Sequence, residues 1–324
     1  MFNVKKISIR VDGNTEIGLG HIFRCISLAQ ILHPRFEIAF YCISIPNSIK
    51  ITLDQLGLKC IKIVSESDFF SRINNTDIIV LDGYKFDAQY QINIKKRGNK
   101  LVYIDDMCNM YYYSDLIINH APGIESSQYL SEPYTDFAIG LDYSLLRPSF
   151  INATKNIKNH RKNSSLIISF GGSDFQDFTN KALKTIEKLN FRFSSIDIVI
   201  GPSYLYEEKL NETIATFSEV VILHKSLSEH EMCKLFLSNE FALVPSSGVL
   251  FEALACGCKP ISGFYIDNQE NIYKGFKRLM CIIPAEDFSE SNLINGLNQI
   301  YNFEFKSVID GLSPQRLINK FEML

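Results

Sequence analysis

Residues Arg10 to Cys25 read RVDGNTEIGLGHIFRC, and their order decides the fold. Ahead of them Ile7, Ile9 and Val11 alternate with Ser8, Arg10 and Asp12, the period of a strand. Gly13, Gly18 and Gly20 then punctuate a loop, and His21 opens an apolar-periodic helix running from Ile22 through Leu32. Strand, glycine loop and helix together form the place where an open α/β sheet receives its ligand. Glycines let a ligand approach the main chain, and the first helical turn has amides free to meet negative charge. His21 stands where loop becomes helix, so its imidazole is a candidate general base. Asp12, on the same loop, is a candidate to orient it. The spacing is neither the dinucleotide G-x-G-x-x-G nor a phosphate loop with Lys-Ser/Thr. A histidine at a helix start is more often a cap or a surface residue, and an Asp in such a loop more often a turn residue. Both alternatives stay open at this point.

The totals set bounds. The 324 residues exceed one typical core and suit two domains of about 150 residues each. Apolar residues make up 46% and the formal charge is −3, which gives no basic surface for nucleic acid. No apolar run is long enough for a signal peptide or a membrane span. Eight cysteines are scattered through apolar runs, and Cys256-Gly257-Cys258 alone makes no zinc site. The expectation is a cytoplasmic protein with reduced, buried thiols.

Outward from the first block, strands and helices alternate. Strands are expected at 36–43, 60–64, 77–81, 101–104 and 116–118, with helices at about 44–58, 68–73 and 88–96. This pattern predicts a parallel sheet with right-handed crossovers. Asp12, Asp82, Tyr84, Asp105, Asp106 and Asn119 end successive strands and so share its ligand rim. Residues 147–163, polar and rich in Lys and Asn, read as a linker. Alternation then restarts: strand 165–170, the turn Gly171-Gly172-Ser173-Asp174, and a helix from about Phe178. Strands follow at 196–200, 220–223, 241–244 and 259–262. The fold class is α/β, with two doubly wound parallel-sheet domains, 1–148 and 149–324, facing across a cleft in a GT-B-like architecture. The second glycine turn suits a diphosphate. Ser246-Ser247-Gly248, leading to Glu252, suits phosphate oxygens and ribose hydroxyls, although a Ser cap and a surface Glu fit the local pattern equally well.

Arg10, Asp12, Ile17, Gly18, Gly20, His21, Arg24 and Cys25 together resemble the R-x-D-x-x-x-x-I-G-x-G-H-x-x-R-C block of the UDP-2,4-diacetamido-2,4,6-trideoxy-β-L-altropyranose hydrolases of pseudaminic acid (nonulosonate) biosynthesis. SSGVLFEAL followed by YIDNQE resembles that family's nucleotide-binding half. Gly171 to Asp174 matches its G-G-x-D turn, and Gly140 to Arg147 its G-x-x-Y-x-L-x-R block. The resemblance implies that Arg10, Gly18, Gly20 and Arg24 join the substrate site and that Tyr84 meets the sugar. It further implies that Gly171, Gly172, Ser247, Gly248 and Glu252 hold UDP, and that Asn268 and Gln269 bridge nucleotide and sugar. One position departs: Asp82-Gly83-Tyr84 stands where family members commonly have Asp-His-Tyr.

The activity so implied is an inverting hydrolysis at the anomeric carbon without metal or cofactor. His21 takes a proton from the attacking water, and Asp12 orients His21 or that water. The implied partner is a small-molecule UDP-sugar, with no nucleic acid or membrane; oligomeric state is not legible. Two alternatives remain open: a GT-B glycosyltransferase, in which an acceptor replaces water, and a non-catalytic nucleotide-sugar binding module. Asp105-Asp106 as a metal pair is not favoured, because neighbours on a strand point apart.

Overall fold

The computed structural model describes residues 5–14, 17–155, 162–172, 174–189, 191–217 and 220–324. The chain forms two compact units, Met1–Pro148 with Leu312–Leu324, and Ser149–Gly311.

In the first unit the strands are β1 (Lys6–Val11), β2 (Glu37–Cys42), β3 (Lys59–Lys62), β4 (Ile78–Asp82), β5 (Lys100–Ile104), β6 (Tyr111–Tyr112), β7 (Leu116–Asn119), β8 (Leu130–Ser131) and β9 (Asp136–Ile139). Seven of them form one parallel sheet in the order β3-β2-β1-β4-β5-β7-β9, while β6 and β8 pair separately. Helices α1 (Gly20–Leu32), α2 (Asn47–Gln55), α3 (Glu66–Arg72) and α4 (Ala88–Lys96) make crossovers. β4 is buried along its whole length, which is why it reads as the unbroken apolar run IIVL: helices cover both faces of a parallel sheet. Ile22, Cys25, Ile26, Leu28, Ala29 and Leu32 carry the buried stripe of α1. β1 pairs with β2 on one side and β4 on the other. The strand order reverses between β1 and β4, so the loops leaving these two strands diverge and open a crevice.

The second unit begins with α5 (Pro148–Thr154) and continues through β10 (Lys162–Ile168), α6 (Phe178–Lys188), β11 (Ser195–Ile200), α7 (Glu207–Thr216), β12 (Val221–Lys225), α8 (Glu229–Ser238), β13 (Asn239–Pro245), α9 (Gly248–Ala255), β14 (Lys259–Gly263), α10 (Glu270–Arg278), β15 (Ile283–Glu286) and α11 (Glu290–Gln299). Its six parallel strands run β12-β11-β10-β13-β14-β15, reversing between β10 and β13. Both units are doubly wound, as the alternation of elements predicts.

Two expectations are corrected. The expected linker is helical over its first part, because Phe150, Ile151 and Ala153 of α5 are buried; 156–161 lie outside the described residues, as does Ser173. The last helix, α12 (Ser313–Glu322), was expected in the second domain but belongs to the first unit. Its apolar face explains this: Leu317 and Phe321 are fully buried, and the Phe321 ring meets Phe36 edge-on at 6.2 Å. Lys320 also donates to Asp136 at 2.6 Å. Among the described residues, no helix is long and apolar enough to cross a membrane. Cys60 and Cys108 are half-buried, and the other six cysteines are buried.

Candidate functional site

At the reversal point of the first unit, the β1–α1 loop and the turn after β4 bring His21 and Asp82 together. His21 Nδ1 lies 2.7 Å from Asp82 Oδ1, and both side chains are buried. Arg24, one turn along α1, grips the same carboxylate through Nε and Nη2, each at 2.6 Å. Its Nη1 donates to Asp106 Oδ2 at 2.6 Å. Burial alone would push Asp82 up, but the charges of Arg24 and His21 and their hydrogen bonds outweigh it and hold the carboxyl below its ordinary value. An ionised Asp82 must accept, so Nδ1 carries a proton, and in the neutral imidazole Nε2 is then the lone-pair nitrogen. Among the described residues no hydrogen bond to Nε2 is formed. This is the arrangement that makes a neutral imidazole a proton acceptor at a fixed point. The Tyr84 ring stands edge-on to the imidazole, with centroids 4.8 Å apart. Tyr84 is about half exposed and donates its hydroxyl to Asp106 at 3.2 Å.

Asp12 is not the residue that orients His21. Its Oδ1 accepts the amides of Ile43 at 2.7 Å and Ser44 at 2.9 Å. Its Oδ2 accepts Arg10 at 2.8 Å and Lys85 at 2.5 Å. Burial opposes the charge, but these bonds prevail and hold Asp12 down at about 2. Asp12 therefore ties the loop after β1 to the end of β2, and the orienting carboxylate is Asp82. Arg10 is likewise no substrate contact in this structure. It is fully buried, and its donors reach Glu66, Asp12 and the carbonyls of Val11 and Tyr41. A buried guanidinium is tolerated when its hydrogen bonds are satisfied in this way. Gly18, at φ +83°, closes the turn by donating to the Asn14 carbonyl at 2.9 Å. Gly20 opens α1 with open space where a side chain would be.

The departure at Gly83 has a backbone cause. Its φ is +142°, and a Cβ there would come within 3.3 Å of the Phe86 ring. Tyr103 pins the Gly83 carbonyl with a 2.9 Å hydrogen bond. A histidine at this position would be strained on this backbone path. Asp105 and Asp106 do point apart. Asp105 accepts Tyr112, Tyr129 and the amides of Met107 and Cys108, while Asp106 faces Arg24 and Tyr84.

In the second unit the predicted residues cluster on the loops that leave β10, β13 and β14. Gly171, at φ +82°, and Gly172 turn after β10. Gly201, at the end of β11, lies so close that a Cβ there would sit 2.3 Å from the Gly172 carbonyl oxygen. Asp174 caps α6 by accepting the amides of Phe178 and Thr179, each at 2.9 Å. Ser246 is buried against Ser262, Oγ to Oγ 3.0 Å. Ser247 precedes α9 without capping it through its side chain. Gly248 is exposed at that helix start, and Glu252 follows one turn on, half-buried. Of the Asn-Gln pair, Gln269 turns inward: it is buried, and its Oε1 accepts the Tyr265 amide at 3.2 Å. That carboxamide oxygen serves the fold rather than a ligand. Among the described residues Asn268 Oδ1 is buried with no hydrogen-bond partner, a state that costs free energy unless a ligand or water donates to it.

Asp82 and Asp106 were legible as strand-end acids but not as the partners of His21 and Arg24; the pairing depends on β1 and β4 being neighbours. Gly201 carried only the signal of a strand ending in Gly-Pro.

No family model matches the chain. An uncharacterized protein of Methanocaldococcus jannaschii is 28% identical over 285 residues, which is 84% of this chain and 58% of that protein; the chain thus spans little more than half of that relative. The UDP-2,4-diacetamido-2,4,6-trideoxy-beta-L-altropyranose hydrolase of Campylobacter jejuni is 23% identical over 278 residues, 82% of this chain and 94% of that protein. Among solved structures, Acinetobacter baumannii MurG aligns over 99% of this chain and 100% of its own, with a TM-score of 0.66 and 9% identity. Over most of its length, then, the chain is similar in sequence to a curated sugar-nucleotide hydrolase, and it shares with MurG a fold of GT-B-like class.

Proposed function

We propose that this chain is an enzyme acting on a UDP-linked sugar, and that it hydrolyses the anomeric C–O bond of a UDP-diacetamido-trideoxy sugar with inversion. The observation that carries this reading is His21, with Nδ1 committed to Asp82 and, among the described residues, no hydrogen bond to Nε2, at the reversal point of a parallel sheet. The sequence similarity to the Campylobacter jejuni hydrolase supports the substrate class. In this reading water lies against Nε2. As its oxygen attacks the anomeric carbon, one water proton passes to Nε2, and the bond to the UDP oxygen breaks with its electron pair leaving on UDP. Attack on the face opposite UDP inverts the centre. The imidazolium so formed lies beside ionised Asp82, which stabilises it. Amides of the Gly171-Gly172 turn and the start of α9 would meet the diphosphate. Asn268 Oδ1 would accept a hydrogen bond from the substrate.

The test is UDP release from UDP-2,4-diacetamido-2,4,6-trideoxy-β-L-altropyranose without any acceptor, comparing wild type with His21→Ala. Release by the wild type that falls at least 100-fold in the variant is the expected outcome, in the range a general base contributes, about 10²–10⁴. Equal turnover by the variant would overturn the assignment of the base. Release that appears only when an acceptor hydroxyl is supplied would favour the glycosyltransferase reading, in which that hydroxyl takes the place of water. Tight UDP-sugar binding without release under either condition would favour a binding module.

A further inference from the structure

Arg24 is committed within the protein. Three of its N–H donors reach carboxylates at 2.6 Å, two on Asp82 and one on Asp106, and its side chain is only 14% exposed. A guanidinium that grips two buried carboxylates has few donors left for a phosphate or a sugar oxygen. Its Nη2 also stands 3.0 Å from His21 Nδ1, so His21, Asp82 and Arg24 meet in one triangle.

That triangle admits two states of neutral His21. In one, Asp82 is ionised and accepts both the Nδ1 proton and the Arg24 fork. In the other, Asp82 holds a proton, Nδ1 is bare and Arg24 donates to it. Only the first leaves a lone pair on Nε2. Two charge-assisted bonds from Arg24 favour the ionised carboxylate, and so the first state. The charge count matters as well. One cation against Asp82 and Asp106 leaves the cluster one negative charge, which a proton on His21 would neutralise. Without Arg24 there would be two, which favours a proton on His21.

We propose that Arg24 is a positioning residue: by gripping Asp82 and Asp106 together it keeps the proton of neutral His21 on Nδ1 and the lone pair on Nε2. The groups against His21 are Asp82 from β4, Tyr84 from the turn after it and Arg24 on its own helix; Asp106 after β5 adjoins through Arg24 and Tyr84, and Cys25 through Asp82. Cys25 Sγ lies 3.4 Å from Asp82 Oδ2; burial, then the Asp82 charge, push this thiol up and keep it neutral. Beyond them lies His120, after β7. It accepts the Leu145 amide on Nδ1 at 3.2 Å, and burial together with the Arg24 charge pushes it down to about 3.

The kinetic arm of the test rests on the hydrolase reading; the spectroscopic arm does not. The six histidines are labelled with ¹⁵N, and the His21 signal is assigned by its loss in His21→Gln. Wild type and Arg24→Lys are expected to show neutral His21 protonated on Nδ1. Arg24→Met is expected to raise the His21 titration midpoint by about one pH unit or more. The acid limb of kcat/KM should move by the same amount, with KM within about threefold of wild type. A wild-type His21 protonated on Nε2 overturns the proposal without any variant. So does an Arg24→Met protein whose KM rises more than about tenfold while the His21 titration stays in place, since that is the signature of a lost substrate contact. If no turnover is found but the spectra behave as expected, the hydrolase reading fails and the role of Arg24 stands.

Discussion

Asp12→Asn separates a residue that builds the loop from one that does chemistry. The substitution keeps one acceptor for the amides of Ile43 and Ser44, but it turns an amide N–H₂ toward Arg10 and Lys85, which can only donate. Arg10 retains Glu66 and loses one of its two carboxylates while fully buried. Breaking one partner of a buried pair costs about 3–5 kcal/mol, and the surviving Glu66 bond lowers that figure. The depression of Asp12 from 3.8 to about 2 corresponds to about 2 kcal/mol by linkage. A loss of about 2–3 kcal/mol is therefore expected. The folded state holds this carboxyl below its unfolded value, so its contribution is present above pH 4 and vanishes as the pH falls through about 2. Wild type should thus lose about 2 kcal/mol more than the variant between roughly pH 5 and pH 1. The chain has no tryptophan, so urea unfolding is best followed by circular dichroism at each pH. Turnover of the folded variant at neutral pH should stay within about threefold of wild type, because Asp82 holds His21. A variant as stable as wild type whose kcat collapses would refute this reasoning and return Asp12 to the catalytic machinery.

Gly201→Ala drives a methyl group into the Gly172 carbonyl. It should cost about 1–3 kcal/mol in overpacking and weaken UDP binding by about tenfold or more, roughly 1.4 kcal/mol, in calorimetric titration. Unchanged UDP affinity would detach the Gly171-Gly172 turn from the diphosphate. Phe321→Ala removes a fully buried ring from α12 and should cost about 3–5 kcal/mol. In hydrogen exchange the lost protection should fall on α1 and its strand neighbours, and loss confined to 149–311 would contradict the unit boundaries.

The parallel sheets were legible because buried strands such as Ile78–Asp82 must be apolar on both faces, and because most of them, β5 and β7 excepted, are followed by a helix-period segment. The place of His21, where loop becomes helix, was legible from the order strand, glycine loop, helix. What remained hidden depended on distance in space. Nothing local distinguishes Asp12 from Asp82 as the partner of His21; both end strands, and Asp12 is nearer in sequence. Only the depth of Arg10, which draws Asp12 away, and the adjacency of β1 and β4, which delivers Asp82, settle the matter. The inward bond of Gln269 to the Tyr265 amide was hidden in the same way. α12 was missed because its apolar face, Leu317 and Phe321, has no partner nearby in the sequence.

That last helix bears on how the protein is made. Residues 1–148 leave the ribosome first, yet the surface that takes Phe321 beside Phe36 stays uncovered until 313–322 emerge. At a translation rate of about 5–20 residues per second, synthesis of the intervening segment takes on the order of 10–30 s. During that interval the nascent first unit presents an apolar stripe along α1 to whatever is nearby, including chaperones. Its final closure waits on the completion of another folding unit.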